Sequence, residues 1–319
     1  MTRPNAPSGE GERRPDPRTP RITGLSIVVP HYGDPATAQE LISQLRRQID
    51  APPLEIIVSD DLSPQPYPAA DDITVVRRTV NGGFGAAVNS GAAVARHSHL
   101  LVLNSDLEID ERFLTSIVRE SEPWQPAVCA PMLIGHDGAT QWGARHFPRH
   151  RHHIIEWLTP LARFRSGLHE VVGHDTRCVA GTTVPVDWLV GAALLIPRDE
   201  FEAVGGFDED YFMNSEEVDL QRRLRARGVP SIFLGRVAVA HEGGGSSDSD
   251  RRVRWVTQSR IRYARVWREH PGLLVAGLRV ASVVNLVANG ARRLAGRRVA
   301  PIDTFRRELG FIKPGVIGR

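Results

Sequence analysis

Between Leu25 and Asp106 short apolar runs alternate with helical stretches, and this alternation constrains the fold more than any other feature of the chain. LSIVVP (25–30), LEIIVSD (54–60), ITVVRR (73–78) and HLLVLNSD (99–106) are rich in branched apolar residues and read as strands. Ala36–Gln48 places Ala38, Leu41, Ile42 and Leu45 on one helical face, and Phe84–Ala95 is an Ala- and Val-rich helix. Strands separated by helices build a mainly parallel sheet covered on both faces, a three-layer α/β/α domain that takes its ligands at the carboxyl ends of the strands.

Beyond Asp110 the rhythm loosens. PAVCAPMLI (126–134) predicts a strand, GATQWGARHFPRHRHH (138–153) a hairpin or loop, and VDWLVGAALLIP (186–197) a buried strand pair or strand-turn. Asp199–Val204 reads as a short helix and Glu216–Arg227 as a longer one, with Leu220 and Leu224 inward and Gly228 as its C-cap. SIFLG and VAVAH (231–241) complete the strands, and from Arg251 to about Arg298 the chain reads as one continuous basic, amphipathic helix. Three regions follow: a proline-rich, disordered tail (1–22), an α/β domain (23–250) and a helical C-terminal appendage (251–319).

Composition narrows the function. The N-terminal tail lacks the apolar core of a signal peptide, no run of 18 uncharged apolar residues occurs, and the two cysteines, Cys129 and Cys178, read as reduced thiols; a cytoplasmic protein is expected. Arg251–Arg319 hold 16 Lys+Arg against three acids in a chain of net charge +3, so residues 1–250 are net negative. The basic piece therefore meets nucleic acid, an anionic lipid surface or the acidic body itself. Nucleic acid is disfavoured, because the region has no aromatic interleaving or recognisable binding motif.

Three constellations carry chemistry. Asp60-Asp61 and Asn104-Ser105-Asp106 close two strands, where acids serve a divalent cation or ribose hydroxyls, or merely cap the following turns. Between them Gly82, Gly83 and Gly85 open a helix, allowing close backbone approach to an anion or simply a tight turn. Glu216 and Glu217 begin a helix after an aromatic, Gly-rich lead-in, while Asp219, three and four residues before Arg222 and Arg223, reads as a helix-surface ion pair. The histidine run His146, His150, His152 and His153 lies in an Arg-rich loop without an acidic or Cys partner, so it reads as an acceptor-side loop and not as a metal site.

The order LSIVVPHYGD, EIIVSDDLS, NGGFGAAVNSG, LLVLNSDLEID and DWLVGAALLIPRDEFEAVGGFDEDYFMNSEEVDL resembles the inverting family-2 glycosyltransferases of GT-A fold, and among them bacterial rhamnosyltransferases of cell-surface polysaccharide synthesis. The resemblance implies that Pro30, His31, Tyr32, Asp60, Asp61, Asn81, Gly83, Asn89 and Ser105 form the nucleotide pocket. It implies that Asp106, with His241, holds Mg2+ or Mn2+, and that Glu217, or its neighbour Glu216, is the general base. Asn104 stands where the family has its first metal-site acid, and Glu217 where the second member of the acidic pair is usually Asp. Trp188 and Trp142, with Gly191, are candidates for contact with sugar; the two indoles suit the core equally well. The implied donor is a dTDP- or UDP-sugar, with rhamnose among the candidates. The acceptor is a hydroxyl on a glycan or a polyprenyl-diphosphate-linked sugar at the cytoplasmic face of a membrane, and a homo-oligomer is compatible with this. Two rival readings are a non-catalytic nucleotide- or nucleic-acid-binding protein using the basic region, and a sugar nucleotidyltransferase. The latter needs a basic glycine loop after the first strand, which PHYGDP does not supply.

Overall fold

The computed structural model describes residues 21–241 and 249–313. The remainder of the 1–22 tail lies outside them, but Ile22 is buried in the core, so the domain starts just before the predicted boundary. The first half follows the expected alternation: β1 (Leu25–His31), α1 (Pro35–Arg46), β2 (Leu54–Asp60), β3 (Ile73–Arg77), α2 (Phe84–Ala92) and β4 (His99–Leu103). Asp34 caps α1 by accepting from the Ala36 amide at 2.9 Å, and Pro35 starts the helix. A two-residue strand, β5 (Leu107–Glu108), and α3 (Phe113–Ser121) lead into the second half.

There the elements are β6 (Val128–Ile134), β7 (Ala144–Arg145), α4 (His150–Trp157), β8 (Thr183–Val186), β9 (Trp188–Leu189), β10 (Ala193–Pro197), α5 (Arg198–Ala203), α6 (Glu216–Ala226) and β11 (Ser231–His241). The sheet runs β3-β2-β1-β4-β10-β6-β11-β5, with β8 on β11. Neighbours from β3 to β4 are parallel, as are β6 and β11, whereas β10 is antiparallel to both β4 and β6. This mixed half is the less regular one in sequence. The predicted pair over 231–241 is a single strand, irregular between Leu234 and Ala238.

Two cores sandwich the sheet. Leu25, Ile27 and Val29 of β1 point to α1 and α3, where Leu41, Ile42, Phe113 and Ile117 meet them. Val28 and Ile57 point the other way, to Val88 of α2, Phe201 of α5 and Leu220 and Leu224 of α6. These side chains alternate along the strands as a sheet buried on both faces requires.

The C-terminal region departs from its prediction. One continuous helix is replaced by α7 (Ser249–Val266), α8 (Pro271–Leu294) and α9 (Pro301–Ile312). Pro271 cannot donate a helical hydrogen bond, and Arg268 and His270 adopt left-handed backbone that turns the chain before it. Nor is α7 a detached appendage: Ser259 donates to the Met213 carbonyl at 2.8 Å and Arg262 pairs with Asp208 and Asp210. Part of the basic region thus meets the acidic body.

Candidate active site

Parallel pairing brings the predicted strand ends to one edge: His31 lies opposite Asp60, and β4 lies beside β1. Asp60 is fully buried and its carboxylate accepts from the Ser63 amide (2.7 Å), the Tyr67 amide (3.1 Å) and Arg77. Burial alone would raise its pKa, but these donors hold it below the ordinary range. Asp61 accepts from the Gly82 amide at 3.0 Å and the Gly83 amide at 2.7 Å, and Arg78 lies 2.8 Å from it. Both carboxylates are therefore engaged in building the wall of the pocket and the glycine turn. Asn89 is committed as well: its side chain takes the Phe207 amide (2.9 Å) and gives to the Phe207 carbonyl (2.9 Å), stapling the 205–212 segment to α2.

Other groups at this edge lack partners. Among the described residues, Nε2 of buried His31 and Oδ1 of Asn81 have no hydrogen-bond partner, whereas Tyr32 projects into solvent, 56% exposed. Burial lowers the pKa of His31, partly opposed by Asp60, so the ring is predominantly neutral at pH 7. Unpartnered buried polar atoms are costly and uncommon, and they concentrate where a ligand completes them.

Asn104 donates its amide to the Ala192 carbonyl at 2.8 Å, setting the segment after β4 beside Gly191. Two residues on, Asp106 Oδ1 lies 3.5 Å from His241 Nε2. Nδ1 of His241 is held by Gln141 Oε1 at 2.7 Å. An amide oxygen only accepts, so Nδ1 carries the proton and Nε2 presents its lone pair towards Asp106 in the neutral ring. A carboxylate and an oriented imidazole, both partly exposed, form the donor set expected of an incomplete divalent-cation site that shares a phosphate with its substrate.

Glu216 and Glu217 occupy the first turn of α6, entered through Asn214 and Ser215, both left-handed (φ 67° and 72°). Two consecutive non-glycine residues in this region are strained, a feature retained mainly at functional sites. Both carboxyls are buried, and one oxygen of each has no hydrogen-bond partner among the described residues. Burial, reinforced by the charge of Glu217, raises Glu216 well above the usual range. Burial raises Glu217 too, but Arg145 opposes the shift. Glu217 is thus the member favoured to carry charge. A Cβ built on Gly191 would lie 3.6 Å from Glu217 Cβ, and one on Gly85 3.6 Å from Glu216 Cγ, so the acids sit between the turn before β10 and the start of α2.

Several predicted roles change on this frame. Asp219 is not on the surface: it is buried, bonded to Arg223 at 2.8 Å and to the Trp267 indole at 2.9 Å. Trp188 is buried, donates to the His146 carbonyl at 3.0 Å and lies under the Arg145 guanidinium, 5.6 Å from the ring centroid. Trp142 packs at a tilt against His169, with centroids 4.7 Å apart. The 138–153 segment is not all hairpin or loop, because α4 begins at His150. His146 does gain acidic neighbours, Glu170 at 3.3 Å and Asp175. Those carboxylates are already engaged, Glu170 by Thr176 and Asp175 by three bonds from Arg177, two of them from its guanidinium. Nothing local in the sequence marked Arg145 or Gln141, since both lie in that irregular stretch and reach the site only through tertiary packing. A cavity of about 780 Å³ lined by Arg77, Arg78, Phe212 and Arg262 lies beside the glycine turn; Asp106, Glu216 and Glu217 do not line it.

Residues 26–181 match the family described as Glycosyl transferase family 2. The chain carries a family 2 glycosyltransferase domain. Over 283 residues, 80% of this chain and 88% of the other, it is 26% identical to an N-acetylglucosaminyl-diphospho-decaprenol L-rhamnosyltransferase of Mycobacterium tuberculosis. It is 25% identical over 198 residues to the rhamnosyltransferase WbbL of Escherichia coli, covering 58% of this chain and 72% of that one. Among solved structures it is similar in fold to GalNAc-T7 with UDP, GalNAc and Mn2+ (TM-score 0.54, 14% identity, 92% and 55% coverage). A mannosyltransferase of Pyrobaculum calidifontis in complex with GDP-Man and Mn2+ is another such neighbour (TM-score 0.51, 15% identity, 94% and 87% coverage). The glycosyltransferase has a GT-A type α/β fold, and the match to the family ends before its acidic pair, which the longer alignments span.

Proposed function

We propose that this glycosyltransferase moves a hexose, rhamnose foremost, from a dTDP- or UDP-sugar to a hydroxyl of a polyprenyl-diphosphate-linked glycan at the cytoplasmic face of a membrane. The observation that carries this reading is the buried Glu216–Glu217 pair, with unpartnered oxygens, at the same sheet edge as Asp106 and His241. The rhamnosyltransferase relatives supply the substrate class. The nucleoside lies against Tyr32, His31 and Asn81 on the wall built by Pro30, Asp60 and Asp61. Ser105 and the Gly83 turn face the diphosphate.

Asp106 and His241 hold the divalent cation, Mg2+ or Mn2+, which supplies neutralisation of the diphosphate charge. Glu217 accepts the proton of the acceptor hydroxyl as that oxygen bonds to the anomeric carbon from the face opposite the diphosphate. The carbon–oxygen bond to the diphosphate breaks with its electron pair, releasing the nucleoside diphosphate with inversion. A positioned general base contributes about 10²–10⁴-fold. Arg145 favours the ionised form of Glu217 against the effect of burial, whereas burial and the Glu217 charge favour the protonated form of Glu216, so one acid of the pair acts.

The test is transfer from a panel of nucleotide sugars to a water-soluble, short-chain lipid-diphosphate N-acetylglucosamine, with and without Mg2+ or Mn2+. Donor- and acceptor-dependent release of nucleoside diphosphate supports the reading. Cation-dependent donor binding without transfer to any hydroxyl acceptor would instead favour a binding protein.

A further inference from the structure

The outward face of α8 is apolar, whereas its buried face mixes Leu274, Leu278 and Ala281 with the polar Ser282, Asn285 and Asn289. Leu273, Val280, Val283, Val284, Val287 and Leu294 recur at helical spacing on one stripe and are 64, 64, 50, 45, 68 and 92% exposed. Beneath the helix, Ser282 accepts from the Trp157 indole at 2.9 Å. Asn285 accepts from the Thr159 amide at 2.9 Å and donates to the Trp157 carbonyl and to Glu308. A surface helix of a water-soluble body normally turns polar residues outward. The helix that carries the stripe runs 24 residues, about 36 Å at the usual helical rise.

We propose that this face of α8 is a docking surface for an anionic phospholipid bilayer, with the helix lying flat in the interface. The helix is long and apolar enough for a membrane span, and with only 28% of its apolar window buried it is not a core helix, but polar residues of its buried face are bonded to α4 and α9. Crossing the bilayer would break those bonds and carry Ser282, Asn285 and Asn289 into hydrocarbon, whereas lying flat preserves all of them.

The arginines identify the surface as anionic. Arg279 borders the stripe, and Arg292, Arg293, Arg297 and Arg298 crowd its C-terminal end, all exposed. Among the described residues none of the five has an acidic partner, and α8 contains no Asp or Glu. Guanidiniums around an apolar stripe suit headgroup phosphates around acyl chains. A second copy would instead bring two sets of these charges together with no acid on the stripe to meet them.

Docking has a consequence for the site. α4 underlies α8 and carries a carboxylate close to the Arg145 that Glu217 faces. Ile154 packs against Gly277, Trp157 bonds Ser282, and Glu156 holds Arg260 at 2.6 Å and interacts electrostatically with Arg145, as Glu217 does. A bilayer on α8 would thus flank the acceptor side of the cleft. That orientation rests on the proposed acceptor class, whereas the docking itself does not.

The experiment is co-sedimentation of the full chain with phosphatidylcholine vesicles, with and without phosphatidylglycerol, compared with Val283→Asp/Val287→Asp. Both positions are exposed, so the fold is retained, as an unchanged melting temperature will verify. The wild type is expected to pellet with the anionic vesicles and less at high salt, and the variant to partition at least about tenfold less. The variant is also expected to keep its turnover on the water-soluble acceptor, a readout that reports separately on the proposed transferase activity. Wild type left in the supernatant, or a variant that binds equally well, overturns the proposal. So does a dimer that dissociates in the variant, which makes the face a subunit interface.

Discussion

At the scale of single residues, two adjacent glutamates have different surroundings, and that difference assigns their roles. Glu217 faces the opposing charge of Arg145, whereas Glu216 faces Glu217. Glu217→Gln should lower kcat by about 10²–10⁴-fold with little change in donor binding, measured by steady-state kinetics beside donor titration. Glu216→Gln should lose far less; the reverse order would exchange the roles. Because burial raises the pKa of Glu217 and a base must be ionised, kcat/KM should fall as pH drops through a value above the ordinary glutamate range. Arg145→Gln removes the group that opposes the shift, so the acid limb of the pH profile should move to higher pH. An unmoved limb would remove Arg145 from this role. Glu216 has the complementary stability signature. Its folded-state pKa is raised, so its contribution is full at low pH and is lost as pH rises through the unfolded and then the folded value. The melting temperature of Glu216→Gln relative to wild type should therefore improve with rising pH.

At the scale of elements, the turn before α2 couples the two sides of the cleft. Asp61 holds the Gly82 and Gly83 amides, and Gly83, at φ 85°, packs so closely that an added Cβ would lie 1.8 Å from the Phe212 carbonyl oxygen. Gly83→Ala therefore forces apart α2 and the segment leading to α6. It should destabilise the protein by more than about 1 kcal/mol, visible as a lower melting temperature, and weaken donor binding more than Asn81→Ala does. Elements of this kind were legible where local pattern decides them. The strands over 25–30 and 54–60 and the helices around Leu41 and Leu220 form at nearly the predicted residues, because periodicity and turn residues agree there. α4 was missed because His150–Trp157 lacks a side-chain N-cap of the usual type and has few apolar residues to mark a face. The break before α8 was overlooked although Pro271 marks it. Asp219 was misread because its spacing to Arg223 reports the pair correctly but cannot report that Trp267 and α7 cover it.

At the scale of the whole molecule, strand order turns distant motifs into one cleft. Residues near 30, 60, 82 and 106 meet because β1, β2 and β4 run parallel, an arrangement the alternating pattern foretold. The antiparallel insertion of β10 beside β4 brings Gly191, and with it Glu217, to that edge, and β11 ends at His241 beside Asp106. No local spacing records those two placements. Arg145, Gln141 and the apolar outward face of α8 were likewise hidden, since each is a fact of packing between segments far apart in sequence. If Asp106 and His241 share a cation with the donor, Asp106→Ala should abolish the Mg2+- or Mn2+-dependent part of the thermal stabilisation by nucleotide sugar, while the melting temperature without ligand stays close to wild type. The most direct measurement is the anomeric configuration of the sugar in the product, read by proton NMR after transfer from a donor of defined configuration. A single base opposite the leaving group, with no covalent intermediate, predicts complete inversion; a product that retains the donor's configuration would contradict the account.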